Sequence, residues 1–409
     1  MIIFHFATSS PMNYPPPDTK SNSYYEPFQL RHETTTALFD AAVRDRCAIT
    51  LVCRQWRALA SDMRYEDIRI GRGIATLHVA LSEPAAVTGI TDTPSPPLRH
   101  RVRRAVLPYE HTATPTCDAP PALALLALLP HLEILVRPPL CPLPTPPRFE
   151  FPTAAPAFPA LHRLEWAFDK TGAAAHAGGI NLLTDMLKAA PSLSELVLTG
   201  RMPHTALCQD RITLRALRTL RFRAGACGCP YLDLQTSFWE MPALENIVVE
   251  GGGGRSKAMD ELWGTFGRKV RVVQLELGGE GMWMSDVREI IIACPQLEEL
   301  NFRIGCVHLN GRWPMVNFCV NAAVSAVVYV HDALQRLGIS VDSDNPEWSV
   351  KTWMALAEFV GEWKLCPALC QVVLYVRDVQ VAEQNPQFHL FHEELASSGR
   401  QLLLRSVRT

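Results

Sequence analysis

A proline- and leucine-based unit recurs along this chain and limits its possible folds more than any other feature of the sequence. The unit has the form Pro-x-Leu-x-x-Leu-x-Leu, and its clear copies begin at Pro130, Pro159, Pro191, Pro242, Pro295 and Pro367. With weaker copies included, the first apolar anchors are Val102, Leu132, Leu161, Leu193, Leu217, Leu244, Val272, Leu297, Leu334 and Leu369. Consecutive anchors are 24 to 37 residues apart. Self-similarity at this period predicts a stack of repeated units with loop insertions of variable length.

Helical segments precede several of the proline units. The segments that start at Asn181, Ser285 and Ser349 each have a residue able to cap a helix, apolar residues at helical spacing and a proline at the end. Proline cannot continue a helix, so each unit has the order helix, proline, short strand. Strands that are joined through helical crossovers pair in parallel. The sequence therefore predicts an α/β fold with parallel strands inside and helices outside.

An apolar stripe with helical spacing lies ahead of the repeats, between Ala48 and Met63. On periodicity alone, this stripe predicts an ordinary core helix. The order of residue types is more specific, since Leu51-Val52-Cys53-Arg54-x-Trp56 resembles the closing half of an F-box. An F-box is the small helical module that docks substrate receptors onto cullin–RING ubiquitin ligases.

The opening half of the F-box pattern is weaker in this chain. Leu30-Arg31-His32-Glu33 stands where that family has Leu-Pro-x-Glu, so the proline is missing. The resemblance covers residues 30–70 and implies that an F-box-like helical module binds the adaptor protein of the ligase. The residues to which it assigns adaptor docking are Leu38, Phe39, Leu51, Val52, Cys53 and Trp56.

The repeats resemble the leucine-rich repeats of F-box proteins, especially the divergent repeats of mushroom-forming fungi. That family places Asn or Cys three residues after the third leucine, whereas Arg, Gly or Glu mostly occupies this position here, with Asp169 and Asp342 as the nearest substitutes. We therefore expect an irregular solenoid. The predicted organisation is a disordered segment (1–29), the F-box-like module (30–70), a connecting segment (71–97) and a leucine-rich-repeat-like solenoid (98–409).

Composition and charge argue against several functional classes. Apolar residues make up 48% of the chain, enough for a large core, and the net charge of −2 gives no sign of nucleic-acid binding. The basic run Arg99–Arg104 could mark a nuclear-import signal or a nucleic-acid patch, but it coincides with the first repeat strand, which favours a solvated face. Twelve cysteines without framework spacing indicate reduced thiols, and no apolar run reaches membrane-spanning length. We expect a cytoplasmic or nuclear protein.

Local patterns that could carry chemistry are weak. The glycine run 251–254 lacks the Gly-Lys-Ser/Thr ending of a phosphate loop, which favours a flexible surface loop. Neither Cys227 with Cys229 nor Cys366 with Cys370 has a second pair at zinc-ligand spacing. We therefore predict a non-enzymatic protein with no cofactor and no bound metal, and with neither nucleic acid nor a membrane as a partner.

Polar residues between the leucines form the candidate binding surface. If the strands alternate, these residues face the open concave side of the repeats. The candidates for target binding are Arg163, Glu165, Glu195, Arg221, Asn246, Glu276, Glu299, Asn301 and Arg336. We expect a substrate receptor whose helices dock the ligase adaptor and whose repeats hold a target protein for ubiquitination. The alternative is a scaffold for protein–protein interaction whose F-box-like start serves only as an N-terminal cap.

Overall fold

The structure is a computed structural model, and it describes the chain in two units. The residues described are 48, 51–53, 65–70, 74–83, 97–107, 125–137, 157–168, 180–200, 211–223, 238–250, 257–276, 284–305, 331–342, 366–376 and 378–406. Those up to Arg218, together with Phe238–Ala243, belong to the first unit. The second unit contains Thr219–Arg223 and the described residues from Leu244 onward. The segment 1–29, predicted to be disordered, lies outside the described residues.

Parallel strands in chain order form the main sheet of the first unit. They are β1 (Asp67–Arg69), β2 (Arg104–Val106), β3 (Ile134–Arg137), β4 (Arg163–Phe168) and β5 (Glu195–Gly200), each paired in parallel with the next. The connections contain helices α1 (Ile74–Ser82) and α2 (Ile180–Ala189) and a 3-10 turn at Leu98–His100. A small parallel pair joins β6 (Ile212–Thr213) to β8 (Trp239–Glu240).

The second unit repeats this arrangement. Its strands are β7 (Thr219–Arg223), β9 (Asn246–Glu250), β10 (Val272–Glu276), β11 (Glu299–Gly305), β12 (Arg336–Asp342), β13 (Gln371–Val376) and β14 (Gln401–Ser406), again each parallel to the next. Its helices are α3 (Lys257–Phe266), α4 (Met284–Ala293), α5 (Val379–Glu383) and α6 (Pro386–Ser397), with a 3-10 turn at Gly267–Lys269. The prediction of an α/β fold with parallel strands is confirmed in each unit.

The leucines of the repeat form the core on one side of each sheet. In the first unit Leu164 is the register partner of Leu196, and in the second unit Leu300 is the partner of Leu337. All four side chains are fully buried. Truncating a buried leucine to alanine typically costs about 2–5 kcal/mol. Because a slip by one residue would turn this whole row toward the other face, the leucines fix the register of the strands.

Nine of the ten predicted anchors are buried, and the prediction of the tenth is wrong. The prediction placed an anchor at Val272, but Val272 begins β10 as a register partner of Glu299, and its side chain is half-buried. The buried anchor is Val270, whose N–H donates to the Gly267 carbonyl at 3.1 Å. This unit has no proline to set its start, so two valines two residues apart fit the leucine pattern equally well.

The prolines stand in hydrogen-bonded turns between helix and strand. In the turn at Pro191 the Leu193 N–H donates to the Ala190 carbonyl at 3.2 Å, and Leu297 donates to Cys294 at 3.0 Å in the same way. Proline suits the second position of such a turn because its ring fixes φ near the required value. Both preceding helices, α2 and α4, begin one residue before the caps that the sequence predicted. The helix predicted to start at Ser349 lies outside the described residues.

The repeat before β12 has no proline, and a histidine closes its turn instead. The Leu334 N–H donates to Nδ1 of the buried His331 at 3.1 Å, and His331 Nε2 lies 2.9 Å from the Cys294 carbonyl oxygen. Because Nδ1 accepts a hydrogen bond, the ring carries its proton on Nε2 and donates it to that carbonyl. The imidazole therefore joins its own turn to the preceding repeat.

Adjacent repeats are also joined by the main chain at the corner before most of the described strands. In the first unit the Glu133 carbonyl accepts hydrogen bonds from the N–H groups of His162 (3.0 Å) and Arg163 (3.1 Å). In the second unit the Glu298 carbonyl accepts from Gln335 (2.9 Å) and Arg336 (3.0 Å). We call this series the corner ladder. It joins the described repeats where the sequence lacks an Asn or Cys ladder.

Candidate protein-binding surfaces

The strands place the predicted target-binding residues on the sheet face opposite the leucines. Arg163 and Glu195 are register partners on β4 and β5, and Glu299 and Arg336 are partners on β11 and β12. Since side chains alternate along a strand, these residues and those two positions away share one face. The first-unit group consists of Arg163, Glu165 and Glu195. The second-unit group consists of Arg221, Asn246, Glu276, Glu299, Asn301 and Arg336.

The first-unit group combines one guanidinium with two carboxylates. Arg163 Nη2 lies 2.9 Å from Glu165 Oε1, and Arg163 Nη1 lies 3.2 Å from Glu195 Oε2. Burial raises the pKa of Glu195, an effect that the charge of Arg163 opposes and that of Glu165 reinforces. The Glu195 Oε1 atom is buried and accepts no hydrogen bond. The group therefore has one carboxylate more than its arginine can neutralise.

Glu299 is the centre of the second-unit group. Its Oε1 accepts a hydrogen bond from Asn301 Nδ2 at 2.7 Å, and its Oε2 lies 3.5 Å from Arg336 Nη1. Asn301 and Arg336 are buried, whereas Glu299 is half-buried. Burial raises the pKa of the neighbouring Tyr375 to about 12, with Arg336 acting in the opposite direction. The sequence predicted that these residues share a face, but it gave no sign that two of them are closed off from solvent.

Two further contacts belong to the same face of the second unit. Arg221 Nη1 lies 3.1 Å from Glu250 Oε1, and Asn246 Nδ2 donates to Thr219 Oγ1 at 3.2 Å. Arg221 is buried and Asn246 is half-buried. Glu276 lies on β10 as the register partner of Glu250.

The sequence prediction missed Glu250 and Tyr375, which contribute to this face. Each is the sixth residue after its anchor, Leu244 or Leu369. The available signal was the same alternation carried one step further along the strand.

Two of the predicted adaptor-docking residues are exposed apolar side chains. Ala48, Leu51 and Val52 are helical, and the exposed fractions of Leu51 and Val52 are 76% and 64%. Cys53, which follows them, is also exposed. The other three docking candidates, Leu38, Phe39 and Trp56, lie outside the described residues.

The basic run Arg99–Arg104 overlaps the first repeat strand only at its last residue. Its first two residues belong to the 3-10 turn, and β2 begins at Arg104, which is buried. Arg103 Nη1 lies 2.8 Å from Glu133 Oε1 in the next repeat. Part of this positive charge is therefore neutralised within the protein.

The described residues contain no group of three or more Cys, His, Asp or Glu side chains able to hold a metal ion. Burial raises the pKa of Cys366 to about 11, whereas Cys370 is exposed. Cys227, Cys229 and the glycine run 251–254 lie outside the described residues. None of the helices within the described ranges has the length and apolar character needed to cross a bilayer.

The sequence matches no model of a known protein family and no curated protein. Among solved structures, a structural-genomics target from Bacteroides fragilis is 11% identical, and the match covers 85% of this chain and 76% of that one. The TM-score of this match is 0.37.

Proposed function

We propose that this chain is a non-enzymatic substrate receptor of a cullin–RING ubiquitin ligase. In this proposal the helical segment around Leu51 docks the ligase adaptor, and the leucine-patterned repeats hold a target protein. The proposal also includes that these repeats form an irregular leucine-rich-repeat solenoid. The proposal rests on the resemblance of Leu51–Trp56 to an F-box, combined with the exposure of the first two of these residues.

The exposure of Leu51 and Val52 is the observation that carries the proposal. A large apolar side chain in water is unfavourable by about 1.5–3 kcal/mol relative to a buried one, and grouped apolar side chains on a surface are typical of docking sites. An N-terminal cap that only sealed the first strand would turn these side chains inward. Their exposed fractions of 76% and 64% therefore favour docking over capping.

Target binding is proposed for the half-buried members of the two polar groups. Arg163, Glu165 and Glu195 in the first unit remain partly accessible, as do Asn246 and Glu299 in the second. Their mixed charges suit a polar protein surface rather than a uniformly charged polymer. The buried members would hold these side chains in place, as Asn301 and Arg336 do through their contacts with Glu299.

Co-purification with the adaptor tests the proposal. The wild-type chain should retain the adaptor, and Leu51→Asp should reduce retention at least about tenfold, because a charge at an apolar contact costs more than 1.4 kcal/mol. Trp56→Ala should act in the same direction. The matched control is Val79→Asp, which places the same charge at an apolar residue of α1 that is 57% exposed and outside the motif.

Two outcomes would contradict adaptor docking. One is a folded wild-type chain that retains no adaptor, and the other is equal retention by wild type and Leu51→Asp. If a folded chain without adaptor still captures a target protein, the scaffold alternative is favoured.

A further inference from the structure

Two histidines from neighbouring repeats meet on the first unit. His100 ends the 3-10 turn before β2, and His131 follows Pro130 in the turn before β3. His100 Nδ1 lies 3.4 Å from His131 Nε2, and the ring centroids are 5.3 Å apart. His131 is exposed and His100 is half-buried, so a solute can reach the pair.

The main chain holds both histidines in position. The His100 N–H donates to the Pro97 carbonyl at 2.9 Å, and Arg101 donates to Leu98 at 3.0 Å within the same turn. On the other side, Leu132, the residue after His131, donates to the Leu129 carbonyl at 3.3 Å and is itself buried. Because these turns exist without a ligand, only the imidazole rings need to adjust when one binds.

The separation of the two nitrogens fits a metal ion. Imidazole nitrogens lie about 2.0–2.1 Å from Zn²⁺, so two ligands of a tetrahedral ion are about 3.3–3.4 Å apart. We propose that His100 and His131 together bind a divalent transition-metal ion of the Zn²⁺ class, with water at the remaining positions. In the ion-free protein the same nitrogens share a hydrogen bond, so one of them carries a proton. A metal ion needs the lone pair of both, and the donor ring therefore changes tautomer on binding: it releases this proton to water and takes one up on its other nitrogen, while both rings turn toward a common point.

The surroundings set the strength of this site. The described residues supply no third Cys, His, Asp or Glu ligand, so binding is weaker than at structural zinc sites, which have four protein ligands. Arg99 and Arg101 flank His100 and lower the affinity further, while Glu133 compensates the charge of Arg103. A bound ion would connect the repeats of β2 and β3 on the first unit.

Calorimetric titration of the tag-free full-length chain with ZnCl₂ tests the proposal. We expect His100→Ala and His131→Ala each to lower the affinity of one site at least about tenfold. The matched control is His389→Ala, which removes an exposed histidine of α6 in the second unit and should leave the affinity unchanged. Circular dichroism shows whether each variant folds. The proposal is wrong if wild type binds no ion, if only one of the two variants weakens binding, or if His389→Ala weakens it equally.

Cu²⁺ allows a second, spectroscopic test of the same site. This ion binds nitrogen ligands more strongly than Zn²⁺ does, so it should bind wherever Zn²⁺ binds to the two histidines. Its electron paramagnetic resonance spectrum should show coupling to two imidazole nitrogens in wild type and to one in either variant. A wild-type spectrum without two coupled nitrogens would overturn the paired site, even if zinc binds elsewhere on the chain.

Discussion

Replacing Gly338 with alanine should destabilise the second unit by colliding with Asn301. Gly338 lies within β12, and its register partners are Asn301 on β11 and Val373 on β13. A Cβ atom at Gly338 would overlap Asn301 Oδ1 and lie 3.1 Å from Tyr375 Cε2. Asn301 cannot move aside freely, because its side chain is 1% exposed and donates to Glu299 at 2.7 Å.

Two opposing effects set the magnitude of this change. Alanine restricts the unfolded chain, and where the folded backbone accepts it this stabilises a protein by about 0.4–1 kcal/mol. Overpacking a well-packed site costs about 1–3 kcal/mol, and losing a hydrogen bond to a charged group costs about 1.5–3 kcal/mol. Since Asn301 either stays and is compressed or moves and loses its bond, only one of these costs applies. The expected net loss for Gly338→Ala is about 1–2 kcal/mol.

A double-mutant cycle measured by urea unfolding separates the collision from other effects. Asn301→Ala removes the obstacle, so adding Gly338→Ala to that variant should be neutral or slightly stabilising, with a coupling free energy of about 1–3 kcal/mol. Gly264→Ala is the matched control, because a Cβ on this glycine of α3 meets nothing within 4 Å and should stabilise the helix by about 0.5–1 kcal/mol. The reasoning fails if Gly338→Ala costs the same with and without Asn301, or if it is as harmless as Gly264→Ala.

Two further variants probe the charged residues. Burial raises the pKa of Glu195 above 4.5, which means that the folded protein favours the protonated carboxyl. The contribution of this carboxyl to stability is therefore present at low pH and is lost as the pH rises through the raised pKa. The stability of Glu195→Gln relative to wild type should therefore increase between about pH 4 and pH 7 in urea unfolding, and a constant difference would contradict this. Arg271 Nη2 lies 2.6 Å from Glu298 Oε1, and this hydrogen bond raises the pKa of Arg271, but both side chains are exposed. Arg271→Ala should therefore cost less than about 1 kcal/mol, and less still at about 1 M salt, whereas a salt-independent cost above about 2 kcal/mol would contradict this.

Leucine spacing was sufficient to predict the parallel α/β architecture, because each unit must bury its apolar row against neighbours of the same kind. The spacing failed at two units in which no proline marks the turn. Val270, rather than Val272, is the anchor before β10, and β14 was not predicted at all. Before β14, helix α6 ends at Ser397, and Gly399, two residues later, has a φ of 75° in the left-handed region that favours glycine. The Arg400 N–H then donates to the Leu395 carbonyl at 2.9 Å, so a glycine cap replaces the proline turn.

The candidate surfaces were less predictable than the fold. Alternation along a strand shows which residues share a face, but it does not show how closely their side chains approach or how deeply they are buried. Arg163 and Glu195 are 32 residues apart, and Glu299 and Arg336 are 37 apart. Each of these four residues is the second after its predicted anchor, so the anchor spacing already implies both pairings. The contact distances and the burial of Arg336 required the three-dimensional structure.

The corner ladder allows repeats to stay attached while their side chains change. Its bonds join main-chain carbonyls to main-chain N–H groups, so replacing Glu133 or Glu298 leaves them intact, and only proline at a donor position would remove one. The chain can therefore tolerate substitutions at its corners and insertions in its loops, provided that the buried leucine row is kept. Such a repeat is recognisable by the spacing of a few apolar residues rather than by a shared consensus.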